Sequence, residues 1–437
     1  MFLKTLSERV ISVLGRDVCV AIINFFVTTF IASKLGPELF GMWISVLTLL
    51  IICDLMFRLK IDQLIIFYSQ MFPSNKVLYL KISALNLYAL IAGGIFIFIF
   101  HKLIIDFFSL GGSLFLALVY VSFSLSVFGN ITFYIFLAES KYSTYNLSIL
   151  LQSITMASLT FILFHFFGAS VSLALLAQLL SWVTVLLFFV VDRLMFVSEK
   201  QSAVSTPVNL SNKSILVKGS NIYFASALRA LADQLPRLFA INFLGAAFVG
   251  VLGLAQIIIG LVNRFPMAVN TVLYPMLVED GSDELKRSMT IIRSLMIIFI
   301  PIILCLELFI PSLILSFYGV GFENASIYVS ILLPFVYLGL PGLILSSYFA
   351  SQGLFKILLI INFVALIGAA LTMYLVSLVS LEYAPILGLC SVFLFLTTVS
   401  LYFAVQEIAL KEIFPRPDDL RGIFRVAKSV VGVDRKA

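Results

Sequence analysis

The sequence predicts an all-α polytopic membrane protein of 12 transmembrane helices, in two six-helix bundles related by a pseudo-two-fold axis along the membrane normal. Three observations carry that prediction. Of the 437 residues, 62% are hydrophobic and 11% charged, where a soluble domain carries about 25% charged residues. The apolar residues fall in runs long enough to cross a hydrocarbon core of about 30 Å at about 1.5 Å rise per residue. One short pattern recurs at the matching place in each half.

The twelve runs are 10–33, 39–57, 78–100, 111–137, 144–167, 171–191, 219–243, 247–278, 289–316, 325–350, 355–379 and 384–409. The first is no cleaved signal: Arg16-Asp17 interrupts it and further spans follow. With the N-terminus on the cytoplasmic side, alternate loops carry Arg58, Lys60, Lys76, Lys81, Lys141, Arg193, Lys200, Lys213, Lys218, Lys286, Arg287, Arg293 and Lys356. The opposite loops carry Lys34 and Lys102. Positive charge stays inside, so both termini are expected in the cytoplasm. No nucleotide-binding lysine loop, HExxH or GxSxG motif occurs, and the four cysteines form no disulfide or metal pattern. No enzyme activity, cofactor, metal or nucleic-acid partner is expected.

Residues 192–218, rich in Ser, Asn and Lys, read as a cytoplasmic linker between bundles 1–191 and 219–409. FIASKLGPELFG at Phe30–Gly41 is echoed by FAINFLGAAFVG at Phe239–Gly250, an offset of 209. Each copy closes the first span of its half and opens the second. Six spans per half give repeats of like orientation, and transporters so built hold their substrate near the midplane. Residues 410–437 form a basic tail with apolar residues at helical spacing, which either lies on anionic lipid or packs on cytoplasmic loops.

Charge inside the apolar runs marks the candidate site. The seventh run holds Arg229, Asp233 and Arg237 at four-residue spacing, hence on one helix face. A central charge facing lipid costs about 2.5–3.5 kcal/mol even on the lenient insertion scale. The face therefore meets protein or a wet cavity, and forms either a structural ion-pair knot or a functional site. Arg16, Asp17 and Asn24 lie on the first run, Asp54 on the second, Gln256, Asn263, Arg264 and Asn270 on the eighth, and Glu307 on the ninth. Arginine stays charged and grips phosphate with parallel hydrogen bonds, so Arg229, Arg237, Arg264 and Arg16 are the candidate diphosphate ligands. Asp233, Asp54, Glu307 and Asp17 are candidates for ion coupling or for positioning the arginines. For Arg16, Asp17 and Asp54, interface anchoring is an equal alternative, and for Glu307 a protonated, hydrogen-bonded carboxyl. Asn24, Gln256, Asn263 and Asn270 are the candidate sugar contacts.

LGPELFGMW at Leu35–Trp43 resembles the first-loop signature of the polysaccharide transporter family, within the multidrug/oligosaccharidyl-lipid/polysaccharide exporter superfamily. SFYGVGFENA at Ser316–Ala325 is similar to the segment that opens the tenth helix in that family. The Wzx-type O-antigen flippases are the branch most resembled. That resemblance implies transfer of an undecaprenyl-diphosphate-linked oligosaccharide to the periplasmic leaflet by alternating access, in exchange for H+ or Na+. It also implies work beside an O-antigen polymerase, a chain-length regulator and a ligase. Two other readings compete. A multidrug exporter of the same superfamily is opposed by the basic balance of runs seven and eight. A membrane enzyme such as an O-antigen polymerase is opposed by the short external loops.

Overall fold

The computed structural model describes residues 2–58, 76–108, 112–139, 141–196, 212–280, 284–319 and 321–406. Among them the chain forms thirteen helices. These are α1 (Phe2–Phe57), α2 (Lys76–Ile99), α3 (His101–Phe108), α4 (Ser113–Ala138), α5 (Tyr142–Phe167), α6 (Val171–Phe196) and α7 (Asn212–Phe243). They continue with α8 (Ala246–Val262), α9 (Arg264–Asp280), α10 (Glu284–Tyr318), α11 (Glu323–Ser351), α12 (Phe355–Ser377) and α13 (Ala384–Val405). Residues 197–211 of the predicted linker and the predicted tail at 410–437 lie outside the described residues.

Nine of the described helices are long and apolar enough to cross a membrane; α8 with the start of α9, bent by 47°, passes the same test as a pair, as a broken span or a re-entrant loop. The chain is a multi-pass membrane protein. The difference from twelve has physical causes. The apolar stretch Gly15–Phe57 covers 43 residues of α1, about 65 Å of helix and twice a hydrocarbon core. It breaks at Gly36, whose φ of 71° and ψ of 174° are non-helical, just before Pro37. Helix α7 carries three charges in its central turns and falls short in apolarity. The eighth predicted run turns at Asn263, where α8 ends and α9 begins. Helix α3 was not foreseen. Helices α6 and α7 extend to Phe196 and from Asn212, into the predicted linker, because helical hydrogen bonds do not stop where the hydrocarbon does.

The chain divides into two compact units. One comprises Ile22–Ala227 and Ala240–Gly250. In it Trp182 of α6 packs on Gly129 and Phe133 of α4, with ring centroids of Phe133 and Trp182 6.0 Å apart. The ends of α4 and α6 are tied by Lys141 Nζ to Asp192 Oδ2 at 2.9 Å and Arg193 Nη2 to Glu139 Oε1 at 2.9 Å. The same unit holds a reciprocal crossing. A Cβ on Gly41 would overlap the Ala246 carbonyl oxygen, and one on Gly250 would overlap that of Pro37.

The other unit comprises Met1–Ala21, Leu228–Phe239 and Val251–Ala437. Glycines again set close approaches there: Gly368 faces Phe395, and Gly342 faces Thr397. The Thr397 hydroxyl donates to the Leu338 carbonyl at 2.7 Å, joining α13 to α11. The Ser347 hydroxyl donates to Asn270 Oδ1 at 2.6 Å, joining α11 to α9.

Candidate functional site: the charged face of α7

Helix α7 has two stripes. Ala225, Ala232, Pro236 and Ala240 are buried, small side chains at the spacing of one face. Arg229, Asp233 and Arg237 run beside that stripe, about 60° around the helix at about 100° per residue. The charges therefore border the protein-facing seam. Arg229 Nε donates to Asp233 Oδ2 at 3.1 Å, and the two side chains keep 35% and 40% of their surface exposed. Charged side chains exposed at that level need water or a polar ligand beside them.

Arg237 is held differently. Its Nε donates to Gln256 Oε1 on α8, and its Nη1 to Gln234 Oε1 at 3.3 Å. Both acceptors are neutral amides. They orient the guanidinium without neutralising it; the one carboxylate of the face, Asp233, is hydrogen-bonded by Arg229 and acts on Arg237 from a longer distance. The face as a whole thus carries an excess positive charge centred on Arg237. Gln256, a candidate sugar contact by sequence, stands as the positioning partner of Arg237. Gln234 was not singled out by sequence; its place three residues before Arg237 on the same helix was the available signal.

The remaining candidates fall into local arrangements. In the same unit Arg16 and Asp17 pair with each other, Nη2 to Oδ1 at 2.6 Å. Asn263 sits half-buried at the bend between α8 and α9, and Arg264, the first residue of α9, is exposed. Asn270 accepts from Ser347. Glu307 is half-buried on the face of α10 that buries Phe299, Ile303, Ile310 and Ile314. In the other unit Asn24 is half-buried on α1.

Asp54 corrects the loop reading. Arg58 Nη1 donates to its carboxylate at 2.9 Å, and Arg58 is only 8% exposed. The adjacent Phe57 packs on Gly93 and on Phe96, 5.6 Å between ring centroids. Gly93 lies about 25 Å along α2 from Lys76. Arg58 is therefore far from the Lys76 end of α2, with which the sequence had grouped it. Tyr223 joins this cluster by donating to the Leu55 carbonyl at 2.6 Å. Arg293 departs likewise: it is 7% exposed, about 14 Å along α10 from Glu284, and donates to Thr290 Oγ1 at 3.2 Å. Among the described residues, no group of three or more His, Cys, Asp or Glu is placed to hold a metal ion.

No protein-family model matches the chain, and no curated protein matches it. Solved structures do. An inward-facing multidrug resistance MATE family transporter of the MOP superfamily is 18% identical, with a TM-score of 0.68 over 91% of this chain and 98% of that one. The lipid II flippase MurJ in an inward closed conformation is 18% identical, with a TM-score of 0.67 over 94% of this chain and 89% of that one. A MOP superfamily transporter from Pyrococcus furiosus, described as having a binding pocket of reverse polarity, is 17% identical with a TM-score of 0.58 over 97% and 95%. The chain has the fold of these transporters.

Proposed function

We propose that this chain is a transporter of the MOP superfamily that moves an amphiphilic substrate across the membrane by alternating access, exposing the charged face of α7 to one side and then the other. Its likeness over nearly full length to structures described as multidrug transporters and as a lipid flippase supports the reading. Counting α8 with the start of α9 as one span, dividing α1 at Gly36 and counting α7 together raise the nine spans to twelve, in two repeats of six with both termini cytoplasmic.

Two substrate classes follow. Export of drugs is favoured by the matched multidrug transporters. The finer reading, a diphosphate-linked oligosaccharide lipid such as an O-antigen repeat unit, is favoured by one observation: Arg237 is fixed by two neutral amides on a face where two arginines share one carboxylate, a net positive charge. A cationic drug would meet that charge with repulsion; a diphosphate would be drawn to it. A neighbour of this fold is itself described as having a binding pocket of reverse polarity. In this reading Arg237 and Arg229 hold the diphosphate, with Arg264 and Arg16 meeting it on entry. Asp233 releases Arg229 as the ligand arrives. Asp54, Asp17 and Glu307 are the groups for a coupled H+ or Na+. Asn24, Asn263 and Asn270 face the sugars. A polymerase, a chain-length regulator and a ligase would act on the product.

The test is a strain lacking the protein. Accumulation of a complete diphosphate-linked repeat unit in the cytoplasmic leaflet, with loss of surface polysaccharide, supports the lipid substrate. Unchanged glycolipids with new drug sensitivity support the drug exporter. Neither change removes the transporter reading.

A further inference from the structure

Helix α3 extends α2 through a single turn at Phe100, whose N–H bonds the Phe96 carbonyl at 3.0 Å and whose carbonyl accepts from Ile104 N. Rings secure the junction: Phe96 and Phe100 are 4.6 Å apart, and His101 Nδ1 lies 2.9 Å from the Phe98 carbonyl. Ile104 and Phe108 are buried. The opposite side of α3 forms an open, largely apolar surface groove with Ile99, Phe100, Leu103 and Phe107, all exposed. Two charges, Lys102 and Asp106, complete the lining.

Those two charges are not where helix stability would put them. Lys102 lies in the first turn and Asp106 in the last, each against the helix dipole. They are four residues apart in the less favourable order for pairing. Among the described residues neither side chain makes a hydrogen bond or an ion pair. An open apolar groove at the end of a membrane span, bordered by aromatic rings and by one exposed cation and one exposed anion four residues apart, matches a zwitterion on an acyl tail. We propose that α3 binds a phospholipid with a phosphoethanolamine headgroup: Lys102 receives the phosphate, Asp106 accepts hydrogen bonds from the primary ammonium, and an acyl chain lies in the groove along Ile99, Leu103 and Phe107. The assignment is independent of the transported substrate.

The experiment is native mass spectrometry of the full chain in detergent, titrated in parallel with phosphatidylethanolamine, phosphatidylcholine and phosphatidylglycerol of one acyl composition. Wild type should retain phosphatidylethanolamine at least about fivefold more than either competitor, a preference of about 1 kcal/mol by the affinity relation. Lys102→Gln/Asp106→Asn should lose the preference. The exchange Lys102→Asp/Asp106→Lys keeps net charge and suits the helix dipole, so it should fold well and also lose the preference, because it reverses the headgroup against the groove. Equal retention of the three lipids by wild type, or a preference that survives the exchange, overturns the assignment.

Discussion

Gly41 and Gly250 each occupy the space the other's side chain would need. A Cβ on Gly41 would stand 2.9 Å from Gly250 N, and a Cβ on Gly250 would stand 3.0 Å from Gly41 N. The carbonyls they overlap, those of Ala246 and Pro37, are 209 residues apart in the chain, as the two glycines are. The contact is thus reciprocal under the sequence echo. The glycines opening each copy, Gly36 and Gly245, share positive φ values of 71° and 84°, which side chains other than Gly rarely adopt.

Gly41→Ala or Gly250→Ala should therefore lower stability by about 1–3 kcal/mol through overpacking against backbone that has no rotamer to yield. Gly260→Ala on α8, where a Cβ meets nothing within 4 Å, should be neutral or stabilising. Thermal melts of the three purified variants check the contrast. Equal melting temperatures would remove the crossing as a structural constraint.

Asp54→Asn should cost about 1–3 kcal/mol, because it takes a carboxylate from the buried Arg58 guanidinium. Asp54→Asn/Arg58→Met should be less damaging than Asp54→Asn alone, since it no longer buries that charge. The comparison is made by thermal unfolding in one detergent. Additive losses would show the pair to be uncoupled.

How much of this was legible in sequence follows from which forces act locally. Apolar run length made nine or ten spans legible, because every residue of a membrane helix reports the same solvent. The Leu-Gly-x4-Gly echo was visible because backbone crossings require glycine. The facing of Arg229, Asp233 and Arg237 followed from helical period alone. Depth was not legible. Arg58 and Arg293 look like loop cations because charge usually ends a span, and only packing against Phe57's neighbours and within α10 reveals them as buried. Nor was the partner of Arg237 legible: Gln256 lies on another helix, and no sequence rule selects it over Asn263 or Asn270.

The Lys141–Asp192 bridge joins the α4–α5 turn to the end of α6, with the Asp192 side chain only 6% exposed. Lys141→Met should destabilise by about 1–3 kcal/mol, and Asp192→Asn in that background should recover part of the loss. A double-mutant cycle on unfolding should give a coupling of about 0.5–3 kcal/mol. Zero coupling would mean that other partners of Lys141 carry it.

Arg264 and Arg237 separate by exposure and hold. Arg264 is exposed at the start of α9, while Arg237 is fixed by Gln234 and Gln256. Arg264→Gln should change substrate affinity less than about threefold and Arg237→Gln more than about tenfold, about 1.4 kcal/mol or more. The reverse order would move the site to the bend.

The most direct test of the central claim is the binding of a soluble, short-chain prenyl-diphosphate disaccharide to purified wild type and to Gln256→Glu, measured by titration calorimetry. The substitution keeps an oxygen acceptor beside Arg237 and answers its charge with a carboxylate. The predicted result is binding by wild type and a loss of at least about tenfold in the variant, with unchanged thermal stability. Equal affinity in the two proteins would contradict the claim that the spare charge of Arg237 receives the substrate.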